Sequence, residues 1–298
     1  MASYFPDEGL FLKGCLHCHS VVTDGTFSPE ELVNKYKKAG YSFLSVTDHN
    51  VLVSHKALQD DNFIILNGLE HDIAYSAYKC IHLIGICQEG KYETDYSCHR
   101  FSPEEINDQG LVDLMNHDGQ FVFVGHPLWS RMEPEELEKL EGYRAIEVFN
   151  YISEREDHEG YSEFYWEYLL RHGKKVNAIA SDDTHFEGDL FGGWVSVKAE
   201  DMSEKAILNA LYEGAYYSST GPEIYDFGMN GEEVYIKCSP CREVYFVSYP
   251  TRGGSCIDIE SASLTDAKYR LRGGERYVRA VCVDHNGHKA WTNPIYFD

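Results

Sequence analysis

GCLHCHSVVTDGTFSPEELVNKYKKAGYSFLSVTDHN, residues 14–50, decides how this chain is read. It opens with an apolar run that ends in His17-Cys18-His19. Alternate residues of a strand share a face, so the spacing points His17 and His19 one way and Cys18 the other. Two imidazoles side by side at a strand end make a poor core and a good pair of metal ligands. Asp24-Gly25 then places a carboxylate on a turn. A helix follows from Ser28 to about Ala39, with Ser28 as N-cap, Pro29 first in the helix and Glu31 completing a capping box. Gly40 stops it, and Tyr41 to Val46 reads as a second strand running into Thr47-Asp48-His49. One β-α-β unit thus delivers His17, His19, Asp24 and His49 to strand ends and the loop after a strand. Chemistry in α/β proteins collects at that rim.

The same arrangement recurs outward along the chain. Phe63 to Leu66 is a short strand followed by Asn67-Gly68-Leu69-Glu70-His71-Asp72, and Cys80 to Ile86 is a strand with His82 inside it. A buried imidazole needs a partner, which makes Glu70 and His82 the next candidate ligands. Gln88 to Arg100 reads as an irregular polar connection in which His99 is an ordinary loop residue. A capped helix is expected from Ser102-Pro103-Glu104-Glu105 to near Gly119, and then a buried strand, Phe121 to Val124, ends at Gly125-His126-Pro127. A short acidic helix follows Pro134. Tyr143 to Phe149 is a strand that carries Glu147 and ends at Asn150; both residues are candidates for orienting the histidines as well as for a purely structural part. An aromatic helix around Phe164 to Leu170 closes at His172-Gly173. Val176 to Ala180 then terminates in Ser181-Asp182-Asp183-Thr184-His185. Strand alternating with helix over some 200 residues predicts a parallel sheet, and the number of units favours closure into a barrel. No role is assigned to His71, His117, His158 or His172.

The end of the chain reads differently. Ser203 to Tyr212 is a final helix stopped by Gly214, and from Glu223 onward short alternating segments and turns replace helical patterns. Asn286-Gly287 is a hairpin turn joining Val278–Val283 to the segment before Trp291. This part is read as a small β-sandwich.

With 26 Lys and Arg against 49 Asp and Glu, the formal net charge of −23 argues against gripping long nucleic acid through its phosphates. It leaves room for a small anionic substrate, because clustered divalent cations reverse the local potential. No apolar run approaches the roughly 20 residues that span a bilayer. The start, MASYFPDEGLFLKG, lacks a basic segment followed by an apolar core, so no signal peptide is read and a cytoplasmic location is expected. Nine cysteines, an odd number, include the pairs Cys15/Cys18 and Cys238/Cys241, and reduced, mostly buried thiols are expected.

HxH, a following Asp, TDH, Glu, the His of HLIG, GHP and a terminal DxH occur in that order. The pattern resembles the PHP (polymerase and histidinol phosphatase) superfamily of metal-dependent phosphoesterases over about residues 10–190. Ala210 to Gly221 and the ending Ala290-Trp291-Thr292-Asn293-Pro294-Ile295 are similar to its carbaryl hydrolase-related branch, whose members carry a small C-terminal β domain. The resemblance implies an α/β fold: a distorted (β/α)7 TIM-like barrel over residues 1–221, then an all-β domain over 222–298. It implies two or three divalent ions, His17 and His19 on the first, Glu70 bridging to a second completed by His82 and His126. Asp24, His49 and His185 would hold a third, and Asp183 would close the first. Asp182 is the alternative to Asp183, which shares a face with His185 in DxH. Catalytic parts fall to His126, Glu70 and Asp183. Arg131 is a candidate phosphate contact, or a partner of Glu133 or Glu135.

Imidazole mixed with carboxylate suits Mn, Fe or Zn better than Mg or Ca. The expected activity is hydrolysis of a small phosphoester, such as a nucleotide or sugar phosphate, by a hydroxide shared between two ions. No GxSxG or P-loop pattern offers another route. A carbamate, ester or amide hydrolase is the first alternative, and a non-catalytic ligand-binding module the second.

Overall fold

The computed structural model describes residues 2–87, 90 and 99–297; most of the irregular connection read at Gln88 to Arg100 lies outside the described residues. The elements of the first part are β1 (Ala2–Ser3), β2 (Leu10–Cys15), α1 (Pro29–Lys38), β3 (Phe43–Val46), β4 (Ile64–Ser76), β5 (Lys79–Cys87), α2 (Asp108–His117), β6 (Phe121–Val124), α3 (Pro134–Lys139), β7 (Ala145–Asn150), α4 (Tyr151–Asp157), α5 (Glu163–Arg171), β8 (Asn177–Ser181), β9 (Trp194–Ala199), α6 (Glu204–Glu213) and β10 (Tyr216–Ser219). Strands then run in succession: β11 (Ile224–Asn230), β12 (Glu233–Cys241), β13 (Glu243–Tyr249), β14 (Gly254–Ile257), β15 (Leu264–Arg270), β16 (Tyr277–Val283), β17 (Lys289–Thr292) and β18 (Ile295–Tyr296).

The sheet is mixed, not the parallel one expected. Its order across the first part is β9-β2-β3-β4-β5-β6-β7-β8. Pairs β2/β3, β3/β4, β6/β7 and β7/β8 are parallel, whereas β5 is antiparallel to both neighbours and β9 to β2. The physical reason is length: two residues, Ala77 and Tyr78, link β4 to β5, enough for a hairpin and far too few for a crossover. Past β8 the sheet returns towards β10, where Ser218 Oγ donates to the Ala178 carbonyl at 2.8 Å. Among the described residues no backbone ladder joins β8 to β9, so the expected closed barrel is here a curled sheet.

Two-residue alternation divides the strand side chains between two faces of the sheet. Phe43, Ile64, Leu66, Ile84, Ile86, Phe121, Phe123 and Ile179 pack with Ile207, Leu208 and Leu211 of α6. Their neighbours in sequence turn to the other face, under α1 with Leu32, Val33 and Tyr36, or under α2 and α5 with Leu111, Met115, Trp166 and Leu169. Helix α1 has the predicted cap: Ser28 accepts from the Glu31 amide, and Glu31 accepts from the Ser28 amide. The second helix begins later than predicted. The Ser102 amide donates to Glu105 and closes a single turn, and α2 starts only after Asn107, whose side chain accepts from Gly110 N at 2.8 Å.

The C-terminal strands form two sheets over one core that includes Phe227, Val234, Ile236, Val244, Phe246 and Ala280. One is β1-β11-β12-β15, so the N-terminal residues Ala2–Ser3 sit in a sheet built otherwise from the end of the chain. The other, β14-β13-β16-β17, continues into the first part through the β17/β10 ladder. Strands β16 and β17 flank the turn that contains Asn286-Gly287. Among the described residues no helix is long and apolar enough to cross a membrane.

Candidate metal centre

Reversal of β5 assembles the site. Strands β2, β3, β4, β7 and β8 run one way and bring their C-terminal ends to one rim; β5 runs against them, so its beginning, with His82, reaches the same rim. Glu70 lies inside the long strand β4, not after a short strand as the sequence suggested, level with His49 through an isolated parallel bridge. On β4, β5 and β7, Glu70, His82 and Glu147 continue the alternation of Ile64, Leu66, Ile84 and Ala145, so they stand above the inner apolar core.

Glu70 is the centre. Its Oε2 lies 3.2 Å from His17 Nε2, 3.1 Å from His19 Nε2 and 3.3 Å from His49 Nδ1. Its Oε1 lies 2.7 Å from His82 Nδ1 and 3.4 Å from His126 Nε2. Asp183 Oδ1 is 3.2 Å from His17 Nε2 and 3.1 Å from His19 Nε2. Beside this group, Asp24 faces His49 Nε2 at 3.4 Å and His185 Nε2 at 3.6 Å. Three overlapping donor sets result: His17, His19, Glu70 and Asp183; His49, Glu70 and His82; His19, Asp24, His49 and His185. The turn carrying Asp24 presses on the backbone before it; a Cβ at Gly25 would lie 2.3 Å from His19 O, so glycine is required there.

The residues fit divalent ions on their own chemistry. Asp183 Oδ1, His19 Nδ1 and His49 Nδ1 are buried with no hydrogen-bond partner, which is costly in a finished core. Glu147 accepts from His17 Nδ1 at 2.8 Å, which leaves the Nε2 lone pair of neutral His17 aimed at Glu70 and Asp183. His185 Nδ1 donates to the Asp183 carbonyl at 2.9 Å and so turns its Nε2 towards Asp24. Without ions, protons take the place of cations. Burial works to lower His17 and His82, but the carboxylates outweigh it, Asp183 and Glu70 first for His17 and Glu70 first for His82, and both imidazoles are raised well above their ordinary value. Burial likewise works to raise Glu70, yet His17 and then His82 hold it well below the usual carboxylate range.

Several residues position the donors; Glu147 and Asn150 were candidates for this from the sequence, whereas Asp48 and Ser181 were not. Glu147 is fully buried and also accepts from His126 N and Asn150 Nδ2, each at 2.8 Å, and from the Ser181 hydroxyl. Asn150 Nδ2 reaches Asp183 Oδ2 at 3.1 Å. Asp48 accepts from Ser20 N and Oγ, each at 2.8 Å, and from Thr23 Oγ1 at 2.9 Å, which holds the loop leading to Asp24. Asp182 turns away from the donors: it accepts from Tyr36 OH and from the amides of Phe191, Gly192 and Gly193, while Asp183 points into the cluster. Removing the Glu147 charge by Glu147→Gln is expected to weaken metal binding about 10- to 100-fold while the chain stays folded, as read by chelator competition.

The cavity over these groups measures about 290 Å3 and is lined by Asp24, His49, Glu70, His82, His126 and Trp129 on one side and by Ile152, Ser153, Glu156, Asp183, His185 and Phe186 on the other. Arg131, the candidate phosphate contact, is absent from that lining. The tight turn after His126 gives it a positive φ of 60° and sends its half-exposed side chain to Glu159 and to the Leu128 carbonyl at 3.0 Å. An exposed pair of this kind contributes about 0–1 kcal/mol. Arg131→Ala is therefore expected to leave kcat/KM within about twofold, and a larger fall in steady-state kinetics would return Arg131 to the site. His71 is buried beside Asn50, with Nδ1 3.2 Å from its side-chain oxygen, whereas His117 and His158 are exposed.

Fold and site together define a mixed α/β protein whose rim carries a buried His/Glu/Asp cluster suited to divalent metal ions. No family model matches the chain. Over 99% of its length the chain superposes on a two-domain protein of Bacteroides vulgatus ATCC 8482 containing a predicted PHP-like metal-dependent phosphoesterase, with a TM-score of 0.54, 16% identity and 98% of that chain covered. Across 80 residues it is 35% identical to the DNA polymerase/3'-5' exonuclease PolX of Bacillus subtilis (strain 168), a match covering 21% of this chain and 14% of that protein's length. An amidohydrolase of Chromobacterium violaceum aligns with a TM-score of 0.44 and 17% identity, over 59% of this chain and 88% of that one. The fold is that of the PHP-like metal-dependent phosphoesterases.

Proposed function

We propose that this chain is a metal-dependent hydrolase of the PHP superfamily that cleaves a small phosphoester. The observation that carries this reading is Glu70, whose two oxygens face separate groups of imidazoles within 3.4 Å. A carboxylate so placed suits neighbouring divalent ions. His17, His19 and Asp183 would hold the first with Glu70, His82 and His126 the second, and Asp24, His49 and His185 a third. Such ions, when bound, supply Lewis acidity and lower the pKa of water towards neutrality. The chain's own part is orientation. Glu147 fixes His17 and the backbone of His126, and Ser130 Oγ meets His126 Nδ1 at 3.0 Å, which sets the ring over Glu70. Trp129 packs edge-on against His82 and His126, with ring centroids 5.9 and 5.0 Å apart, and lines that side of the cavity.

One observation favours a second reading. The cavity is bordered by the partly exposed rings of Trp129 and Phe186, and no Lys or Arg stands among the described residues that line it. A neutral aryl ester or carbamate, the chemistry suggested by the carbaryl hydrolase resemblance, suits such a mouth. Metal analysis of protein purified without chelator, followed by turnover of phosphomonoesters, nucleoside 3',5'-bisphosphates and carbamates, separates the two. Phosphoester turnover that depends on added Mn, Fe or Zn is the expected result. Turnover of carbamates alone would transfer the reading to the second, and metal-free, inactive protein would exclude both.

A further inference from the structure

Far from this cavity, the pair Cys238/Cys241 lies in the core between the two C-terminal sheets. In a regular strand a spacing of three residues puts two side chains on opposite faces. Here the register of β12 against β15 shifts between Lys237 and Cys241, Ser239 and Pro240 are pushed outward, and both cysteines return to the core. Cys282, in β16 of the opposite sheet, faces them. The three sulfurs lie within 4.8 Å of one another, and all three residues are buried. Apolar packing alone does not require a bulge that spends ladder hydrogen bonds to add a second thiol to the first. The other pair stays apart: Cys15 Sγ donates to the His17 carbonyl and Cys18 Sγ to the Ser45 carbonyl.

We propose that Cys238, Cys241 and Cys282 form a three-sulfur site for one thiophilic d10 cation, Zn2+ or Cu+, which joins β12 to β16 and is independent of the histidine-carboxylate centre. Thiolates select such ions over Mg, Ca or Mn. Binding displaces thiol protons to water, and the cation offsets the negative charge that would otherwise be buried among apolar residues.

Titration of the full chain with Co2+ alone tests the site, because sulfur-to-cobalt charge transfer in the near ultraviolet does not arise from imidazole and carboxylate donors. The band is expected in the wild type and in Cys256→Ser, and its loss is expected in Cys282→Ser. Metal analysis of protein as purified then separates the two ions: whichever of zinc and copper falls by about one per chain in Cys282→Ser is the occupant. Should Cys282→Ser fail to fold, alkylation of the wild type decides, with Zn2+ or Cu+ slowing reaction at the three cysteines but not at Cys87. Folded wild type without the band, alkylation unaffected by either ion, or a Cys238–Cys241 disulfide in the purified protein would each overturn the proposal.

Discussion

Glu70→Gln is expected to remove turnover and bound metal together, with kcat/KM falling on the order of 1000-fold, about 4 kcal/mol of transition-state stabilisation. The substitution keeps shape and one oxygen but turns the other atom into a donor. Whichever way the amide is placed, its hydrogens confront imidazole nitrogens on one side, at the positions now 2.7 Å from His82 or 3.1 Å from His19. The charge that bridges the donor sets is lost as well. Proton linkage provides an independent readout. His185 is lowered by burial, but its hydrogen bond to Asp24 and the Asp183 charge prevail and raise it from 6.5 to about 9. A raised imidazole stabilises the ion-free chain fully below its unfolded pKa, and that contribution disappears as pH rises through the folded value. Cations need the deprotonated ring, so the gain in Tm on adding Mn2+ or Zn2+ should grow between about pH 6.5 and about pH 9. Glu70→Gln should flatten this rise. A variant that retains full metal content and turnover would remove Glu70 from the centre.

Ending the chain after Gly221 is expected to give insoluble protein, because the terminal strands complete the fold of the first part. β10 pairs with β17 through Tyr217/Thr292, Ser218/Trp291 and Ser219/Ala290. Trp291 is fully buried, donates from Nε1 to Glu163 at 2.6 Å and stacks on Phe149. Asn293 accepts from Ala178 N at 3.0 Å and donates to the Gly214 and Tyr216 carbonyls at 3.0 and 3.1 Å. Arg279 reaches Glu167 of α5 at 3.0 Å. Truncation would strip all of this away and leave β10 as an open edge, a template for aggregation. Ile295, by contrast, packs only partly buried against the sandwich core. The milder Trp291→Ala should cost about 3–5 kcal/mol in denaturant melts, a large share of a typical 5–15. A soluble, active 1–221 fragment would show that the strands are dispensable.

Most of the residues that gather around Glu70 stood out from local pattern, because strand alternation and strand-end polar clusters are short-range properties. His17 and His19 share a face through their spacing, and Ser28 with Glu31 caps α1 through contacts three residues apart. The order of HxH, TDH, GHP and DxH carried the fold family for the same reason: each motif is a strand end. Arg131 shows the opposite case. Nothing near it in sequence reveals that a turn at φ 60° commits it to Glu159, 28 residues on.

Only the tertiary structure decided which way β5 runs, that Glu147 collects His17, His126, Asn150 and Ser181 around one carboxylate, and that Asp182 serves the loop at Phe191 to Gly193 while Asp183 enters the cluster. It also brought Cys282 against Cys238 and Cys241 across two sheets. These contacts join residues up to 130 positions apart or depend on register, and a one-residue slip reverses which face a side chain takes. Periodicity within a strand is blind to its partner strand, so Glu147 and Asn150 could be named from their place at a strand end but the groups they hold could not.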